Sequence, residues 1–447
     1  MYRKGGFSGS IEKANQELLK KWSDISYTVR QAVNNSPFYA DQWKDNGLNI
    51  GMIKKPSDFH SIPFTSKQDL RESYPDKMLA VPWKEVAIVH ESSGTTGEPT
   101  PSFFTKEDLD AWHSNMLLNG VGLNESDVVL IKTPYSMLST AHQMHGAARI
   151  KNAMVIPAGN RSSLMPYSRI VRLIRDYKPT IIYCMPIELI IFSRMASRMG
   201  MDTTKDFPWI RGCVINGEML SPGKQTYLEK LWNTKIYQDY GSTETGTLGG
   251  VCQLGQLHVW NDWYYFEVED QYTGKCGDEG TGELIITSLR RKGMPLIRYR
   301  TEDLVTLKRN NCSCDLGLPE LQLWGRKSDR IKWKGNFLFP IEIENLVYSN
   351  LVGLGPVFWT ASLNKSSMEM LLEHTARDHQ RIKAKKTHIQ KAIKEELNIE
   401  VNISLVPEGT IMRMDVEQSE SMVYKPKYIY SEGERMQKLN YQVVGLR

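Results

Sequence analysis

The sequence predicts an α/β protein. A large N-terminal domain of helix-covered, mainly parallel sheets, with a small β-barrel-like part, is followed by a small α+β domain. Three changes of texture carry this reading. Between 127 and 238, short β-rich apolar runs alternate with helical patterns, the signature of parallel strands joined by covering helices. Beyond 257 the pattern becomes alternating segments parted by glycine-rich turns, which suits antiparallel strands. Past a glycine-containing stretch at 325–329, helical and strand patterns mix in a shorter segment.

In chain order, the strand-like runs are 127–132, 153–157, 180–185, 212–216 and 234–238, and the helical ones 167–177, 188–199 and 222–231. In sheets of this kind ligands collect at the loops beyond the strand C-terminal ends. Those loops hold Thr133-Pro134, Met185-Pro186, Asn216-Gly217-Glu218 and Asp239-Tyr240-Gly241. Antiparallel strands are expected at 263–269, 282–287 and 304–308. The domain boundary is placed between 1–325 and 326–447, with helices at 341–347 and 380–397 and a strand at 402–406 in the second domain.

With 447 residues, the chain is long enough for two or three domains with packed cores. Hydrophobic residues at 40% and charged residues at 24% describe a globular composition. A formal charge of +5 is small for this length and suits anionic small molecules, but no continuous basic stripe points to nucleic acid. The basic stretch 381–394 alternates with apolar residues, as the solvated face of a helix does. Residues 1–10 carry no apolar core of signal-peptide length, and the longest apolar runs are too short to span a bilayer. A cytoplasmic protein with no membrane or nucleic-acid partner is expected. Six cysteines in such a chain suggest metal binding sooner than a disulfide framework.

The most informative stretch is Glu91-Ser92-Ser93-Gly94-Thr95-Thr96-Gly97-Glu98-Pro99-Thr100. Glycines let successive amide N–H groups converge on an anion, and the hydroxyls add donors at close spacing. The loop lacks the Gly-Lys-Ser/Thr ending of the common nucleotide loop. Before it stands Ile62-Pro63-Phe64-Thr65-Ser66-Lys67-Gln68-Asp69-Leu70, and after it Tyr240-Gly241-Ser242-Thr243-Glu244, Leu257 to Asp262, Pro295 to Asp303, and Gly325-Arg326 through Glu344.

In their order, these stretches resemble the adenylate-forming superfamily of acyl-CoA synthetases and adenylation domains, most of all its phenylacetate–CoA ligase branch. The resemblance implies ATP and Mg²⁺ as cofactors, a carboxylic acid as substrate, and a thiol as final acceptor, either CoA or the phosphopantetheine arm of a carrier protein. It implies that Ser92, Ser93, Gly94, Thr95, Thr96 and Gly97 hold the β- and γ-phosphates. Tyr240 would face the adenine, with Asp239, Gly241 and the Asn216, Gly217, Glu218 turn near its polar edge. Thr243 would donate to the α-phosphate, Glu244 would ligate Mg²⁺ as a hard oxygen donor, and Asp303 would accept from the ribose hydroxyls. Arg326 would add positive charge beside the nucleotide.

A lysine near the C-terminus is expected to stabilise charge developing during adenylation. Lys425 aligns best and Lys427 is the rival. The C-terminal domain would be mobile, swinging about Ser328-Asp329 to exchange that lysine for a thioester-forming face. Dimers are usual among relatives, so a homodimer is an open expectation.

Cys252, His258, Cys312 and Cys314 form a Cys-x5-His and Cys-x-Cys set of the residue types that structural zinc prefers. The alternative is two unrelated thiol pairs. Tyr135, Met137, His142, His145, Gly146 and Ala147 follow the 127–132 strand and, with Met185 and Pro186 opposite, are expected to line the acyl pocket. Aromatic and methionine residues there suit a small aromatic acid. Three positions depart from the family pattern: Glu98 where lysine is frequent, Glu302 in place of the glycine between Thr301 and Asp303, and Ser328 at the hinge.

The leading expectation is therefore activation of a small aromatic carboxylic acid to an acyl-adenylate, followed by thioester formation with CoA. A stand-alone enzyme that loads a carrier protein, and a non-catalytic nucleotide-binding protein, are the alternatives.

Overall fold

The computed structural model describes residues 16–92, 99–159, 164–309, 311–364, 367–412 and 427–430. The described residues group into two compact units. The first draws on Met1–Leu123, Tyr135–Lys151 and Asp239–Ser328, the second on Asn124–Pro134, Asn152–Gln238 and Asp329–Arg447. The chain passes from the second to the first within the strand Lys235–Ser242.

The sheet of the first unit is antiparallel. From one edge it runs Cys276–Gly277, Tyr264–Glu269, Gly280–Ser288, Tyr299–Lys308, Glu320–Arg326, Leu257–Val259 and Gly246–Val251, and then the end of Lys235–Ser242. Tyr264–Glu269 and Gly280–Ser288 are buried along nearly their whole length, so the two-residue alternation that marks a half-solvated strand is weak in them. A separate hairpin pairs Val86–Glu91 with Pro101–Thr105. The helix Lys106–Met116 follows at once, started by a capping box in which Thr105 accepts from Asp108 N–H and Asp108 accepts from Thr105 N–H.

The second unit has parallel strands in the order Met154–Pro157, Val128–Lys132, Ile181–Cys184, Gly212–Ile215 and the start of Lys235–Ser242. The helices Tyr167–Tyr177, Pro186–Arg198 and Pro222–Trp232 connect them. The α/β alternation read from the sequence is thus observed. A four-stranded sheet, Val401–Pro407, Met368–His374, Phe358–Leu363 and Ile429–Tyr430, carries the helices Pro340–Leu351 and His379–Leu397.

One hydrophobic core runs from Ile182 and Phe192 through Tyr227 to Tyr348 and Trp359, all fully buried. A buried Arg194–Glu373 ion pair crosses it. Arg194 also donates to Pro356 O at 2.9 Å, its guanidinium lies 4.3 Å from the Phe358 ring centroid, and Glu373 accepts from Met412 N–H at 2.8 Å. Extra hydrogen bonds of this kind are what make a buried ion pair tolerable. Among the described residues, no helix is long and apolar enough to cross a membrane.

Candidate active site

The turn that closes Lys235–Ser242 shapes the centre of the first unit. Ser242 N–H donates to Thr245 Oγ1 at 3.2 Å and Thr245 N–H donates to Ser242 Oγ at 3.3 Å, so two hydroxyls hold the loop that carries Thr243 and Glu244. A Cβ at Gly241 would lie 2.2 Å from Gly246 O, so only glycine permits this crossing. Arg291 secures the loop from behind. It donates to Glu244 O at 2.5 Å and to Ser102 Oγ at 2.7 Å, with its guanidinium 4.3 Å over the Phe104 ring.

Glu244 is buried. Its Oε1 accepts from Thr100 Oγ1 at 2.8 Å and lies 3.2 Å from Lys67 Nζ. Burial alone would raise its pKa, but Lys67 and the hydrogen bonds outweigh it and hold the carboxyl at about 2. Lys67 owes its place to the residues before it. Thr65 Oγ1 donates to Ile297 O at 2.8 Å, and Ser66 with Asp69 forms the capping box that starts the helix at Lys67. Thr100 N–H in turn donates to Ser92 Oγ at 2.9 Å, and because the single Thr100 hydroxyl proton goes to Glu244, the Ser92 hydroxyl donates to Thr100 Oγ1, also at 2.9 Å. Ser92 is therefore tied through Thr100 to Glu244. Ser93, Gly94, Thr95, Thr96, Gly97 and Glu98 lie outside the described residues, as does Lys425.

On the other side of the same cleft, Tyr240 donates from its hydroxyl to Asp303 Oδ2 at 2.7 Å, and Arg326 Nε lies 3.3 Å from Asp303 Oδ1. Burial and then the Asp303 carboxylate push the Tyr240 hydroxyl well above its ordinary pKa, so it remains a donor. Lys67, Ser242, Glu244, Thr301, Asp303 and Arg326 are among the residues lining one cleft of about 310 Å³. Glu302 adopts φ 63°, the left-handed conformation in which glycine carries no steric cost, so the backbone keeps a glycine-like shape with a glutamate in it. Thr301 Oγ1 accepts from Asp303 N–H at 3.1 Å and anchors the bend. An anionic hard oxygen at Glu244 fits Mg²⁺, which when bound would neutralise charge on phosphate oxygens.

Asp239 is buried in strand pairing opposite Gly250, and Thr243 is half-buried in the turn. Asn216, Gly217, Glu218, Met185 and Pro186 belong to the second unit, at the carboxyl ends of its parallel strands. There Asn216 N–H donates to Cys184 O at 3.1 Å, and Gly217 takes φ 78°.

Of the residues expected around the acyl group, Tyr135, His142, His145, Gly146 and Ala147 lie in the first unit. Tyr135 O accepts from His142 Nε2 at 2.5 Å, and Tyr135 OH pairs with His145 Nδ1 at 3.1 Å. Gly146 abuts the His113 ring, where a Cβ would come within 2.3 Å, and Ala147 is fully buried. His90, buried 5.2 Å from the His142 ring, joins them. Burial, then His142, lowers its pKa to about 4, so it is neutral at pH 7.

Cys252, His258, Cys312 and Cys314 come together, with their ligand atoms all within 4.8 Å of one another. The Cys252 and Cys312 sulfurs are 3.9 Å apart, and Cys314 Sγ lies 3.4 Å from His258 Nε2. His258 Nδ1 is 2.9 Å from Leu318 O, which as acceptor fixes the N–H on Nδ1 and leaves the Nε2 lone pair on the cysteine side. These separations fit the edges of a tetrahedral zinc site.

Lys67, Thr100 and Arg291 are the site residues that sequence reasoning did not single out. Lys67 and Thr100 stood inside quoted motifs without a role, and nothing local marks Arg291, because its partners are far away in the chain.

The AMP-binding enzyme family profile matches residues 26–288. A phenylacetate–coenzyme A ligase from Aromatoleum evansii is 30% identical over 349 residues, covering 76% of this chain and 78% of the relative. One from Thermus thermophilus is 26% identical over 437 residues, covering 92% and 97%. The crystal structure of a 2-hydroxyisobutyryl-CoA ligase in the postadenylation state, in complex with 2-HIB-AMP, superposes with a TM-score of 0.80. It is 21% identical and covers 97% of this chain and 95% of that one, a likeness of fold. The chain belongs to the AMP-binding enzyme family, in its phenylacetate–CoA ligase branch.

Proposed function

We propose that this chain activates a small aromatic carboxylic acid with Mg-ATP to an acyl-adenylate, releasing pyrophosphate, and then transfers the acyl group to the thiol of CoA. One observation carries the reading. Residues far apart in sequence, Lys67, Glu244, Asp303 and Arg326, line a single cleft, with one carboxylate kept anionic and the other bonded to an aromatic hydroxyl.

Within that reading, Glu244 holds Mg²⁺ and Asp303 accepts from ribose hydroxyls. Tyr240 flanks the base, Thr243 serves the α-phosphate, and the Ser92–Gly97 loop serves the outer phosphates. Carboxylate and triphosphate are both anions, so the rate gain comes from positioning and charge neutralisation. Lys67 and Arg291 serve that end by keeping Glu244 ionised and its loop in place. Lys425 supplies charge in the adenylation step, and residues 326–447 turn about Ser328-Asp329 between the two half-reactions. Tyr135, His142, Gly146 and Ala147 receive the acid. Cys252, His258, Cys312 and Cys314 hold a structural zinc.

The test is ATP–pyrophosphate exchange against a panel of aromatic acids, followed by product analysis with CoA and with carrier proteins. Exchange with an aryl acid and an aryl-CoA product is expected. Nucleotide binding with no exchange for any acid overturns the enzymatic reading, and thioester formed on carrier proteins alone overturns CoA as acceptor.

A further inference from the structure

The helix Lys106–Met116 carries Asp108, Ala111, Trp112 and Asn115 along one face, at the three- and four-residue spacing of helix neighbours. Together with Phe104, Trp263, Tyr264, Arg290 and Arg291 they line a groove of about 350 Å³, open to solvent. All of these residues belong to the first unit, and none of them lines the cleft around Glu244 and Asp303. The groove reaches the Glu244 loop from outside that cleft, through Arg291 and through Tyr264, whose hydroxyl donates to Thr245 O at 2.7 Å.

Two buried polar atoms in the lining are left over. The terminal nitrogens of Arg291 donate to Glu244 O, Ser102 Oγ and Phe103 O, but its Nε–H is buried and meets no acceptor among the described residues. Asn115 is 2% exposed, and its Oδ1 meets no donor among them. Buried donors and acceptors in this state are costly, so a ligand that supplies their partners gains what the fold leaves unmade.

The charge is also one-sided. Asp108, the carboxylate of the lining, is committed to backbone and accepts from Thr105, Lys292 and Gly293 N–H at 2.9, 2.7 and 2.8 Å. Glu244 turns its carboxylate to Thr100 and Lys67. Burial lowers the Arg291 pKa, and Asp108 and Glu244 act on it only from a distance. Arg290, exposed, adds a second cation with its guanidinium 5.5 Å from the Trp263 ring centroid. Phe104 and Trp112 are stacked, with centroids 5.0 Å apart. Cations and aromatic faces therefore share one groove.

We propose that this groove is a second ligand site, built for an aromatic carboxylate that carries a ring hydroxyl or amino group. The carboxylate accepts from Arg291 Nε–H and pairs with Arg290, the ring packs on the aromatic lining, and the ring donor bonds to Asn115 Oδ1. The arginines select charge, the rings select a flat apolar body, and Asn115 disfavours a ring without a donor. The inference does not depend on the adenylation reading, because it concerns another set of residues.

Isothermal titration with 4-aminobenzoate, 4-aminobenzamide and inorganic phosphate tests it. Wild type is expected to bind the acid at least about tenfold more tightly than the uncharged amide, the scale of a lost charged hydrogen bond. Phosphate, with charge but no ring, should not displace the acid at equal concentration. Arg290→Gln and Asn115→Leu should each weaken binding by about fivefold or more. The acyl region can also receive such an acid, so KM for the acid in pyrophosphate exchange separates the two places. It should be unchanged in Arg290→Gln, and a KM that rises in step with the lost affinity puts the binding in the cleft and overturns the inference. A wild type that does not bind the acid overturns it as well, as do an amide bound equally tightly, displacement by equal phosphate, or unchanged affinity in either folded variant. If Asn115→Leu fails to fold in a thermal melt, Arg290→Gln, at an exposed position, decides by the same criterion.

Discussion

Glu244 and Glu218 are both buried carboxylates with a lysine nitrogen between 3.2 and 3.4 Å away, yet their pKa values move in opposite directions. Burial pushes both up. Glu244 has Lys67 together with hydrogen bonds from Thr100 and Ser242, and its pKa falls to about 2. Glu218 shares Lys224 with Glu344, and the second carboxylate opposes its ionisation. Depth of burial therefore does not decide protonation; the ratio of cations and donors to carboxylates does. One arrangement yields a permanent anion suited to a metal ion. The other yields a carboxylate that still has room for a donor.

The largest expected effect tests the first arrangement. Glu244→Ala should lower pyrophosphate exchange by about 10²–10³-fold, the scale seen when a transition-state electrostatic group is removed. Glu218→Ala should act mainly on KM for ATP, and equal kcat losses in the two variants would break the contrast.

The pH dependence of stability comes next. The folded-state pKa of Glu244 lies below its unfolded value of 4.5, so its contribution is complete above that value and is lost as pH falls from 4.5 toward about 2. The shift corresponds to about 3 kcal/mol, an upper figure for a single group. Urea denaturation across that window should show an acid limb that Glu244→Gln flattens. The folded-state pKa of Glu218 is raised, so its contribution is present below the ordinary carboxylate value and lost on going up in pH. Glu218→Gln should leave the acid limb intact.

Zinc separates these effects from general loss of fold. Elemental analysis should find about one zinc per chain, and Cys312→Ser should remove it and lower Tm. Exchange activity should outlast the metal below the new Tm. Protein purified without zinc, and with an unchanged melt in Cys312→Ser, would mean the four side chains are only neighbours.

Tyr240→Phe removes one hydroxyl from Asp303 and should cost about 1 kcal/mol, a severalfold rise in KM for ATP. Glu302→Gly is expected to have the smallest effect. It relieves a left-handed glutamate but loosens the unfolded chain, so stability should change by less than about 1 kcal/mol, read from urea midpoints.

Much of this was legible in the sequence. The helix expected at 167–177 is observed as Tyr167–Tyr177, and the parallel strands lie within a residue or two of their expected ends, because apolar periodicity reports burial directly. The strand expected at 234–238 runs on to Ser242, where β-pairing with Gly246–Val251 extends it through residues with little apolar signal of their own. Glu244, Asp303 and the Cys/His set were visible as motifs. Lys67 stood in a motif without a role, and Arg291 and Lys224 stood in none, since a cationic side chain reads as a solvated surface residue until its partners are known.

Local chemistry written into the chain thus determined where elements begin and turn. Ser66 and Asp69 cap a helix, Gly241 permits a crossing, and Ser242 with Thr245 closes a loop. Tertiary structure alone decided which carboxylate stays ionised, because that depends on the charges that reach it through space: Lys67 to Glu244 across 177 residues, and Lys224 to Glu344 across 120. Electrostatic energy in a low-dielectric interior is set by distance between groups, and sequence separation carries almost no information about that distance.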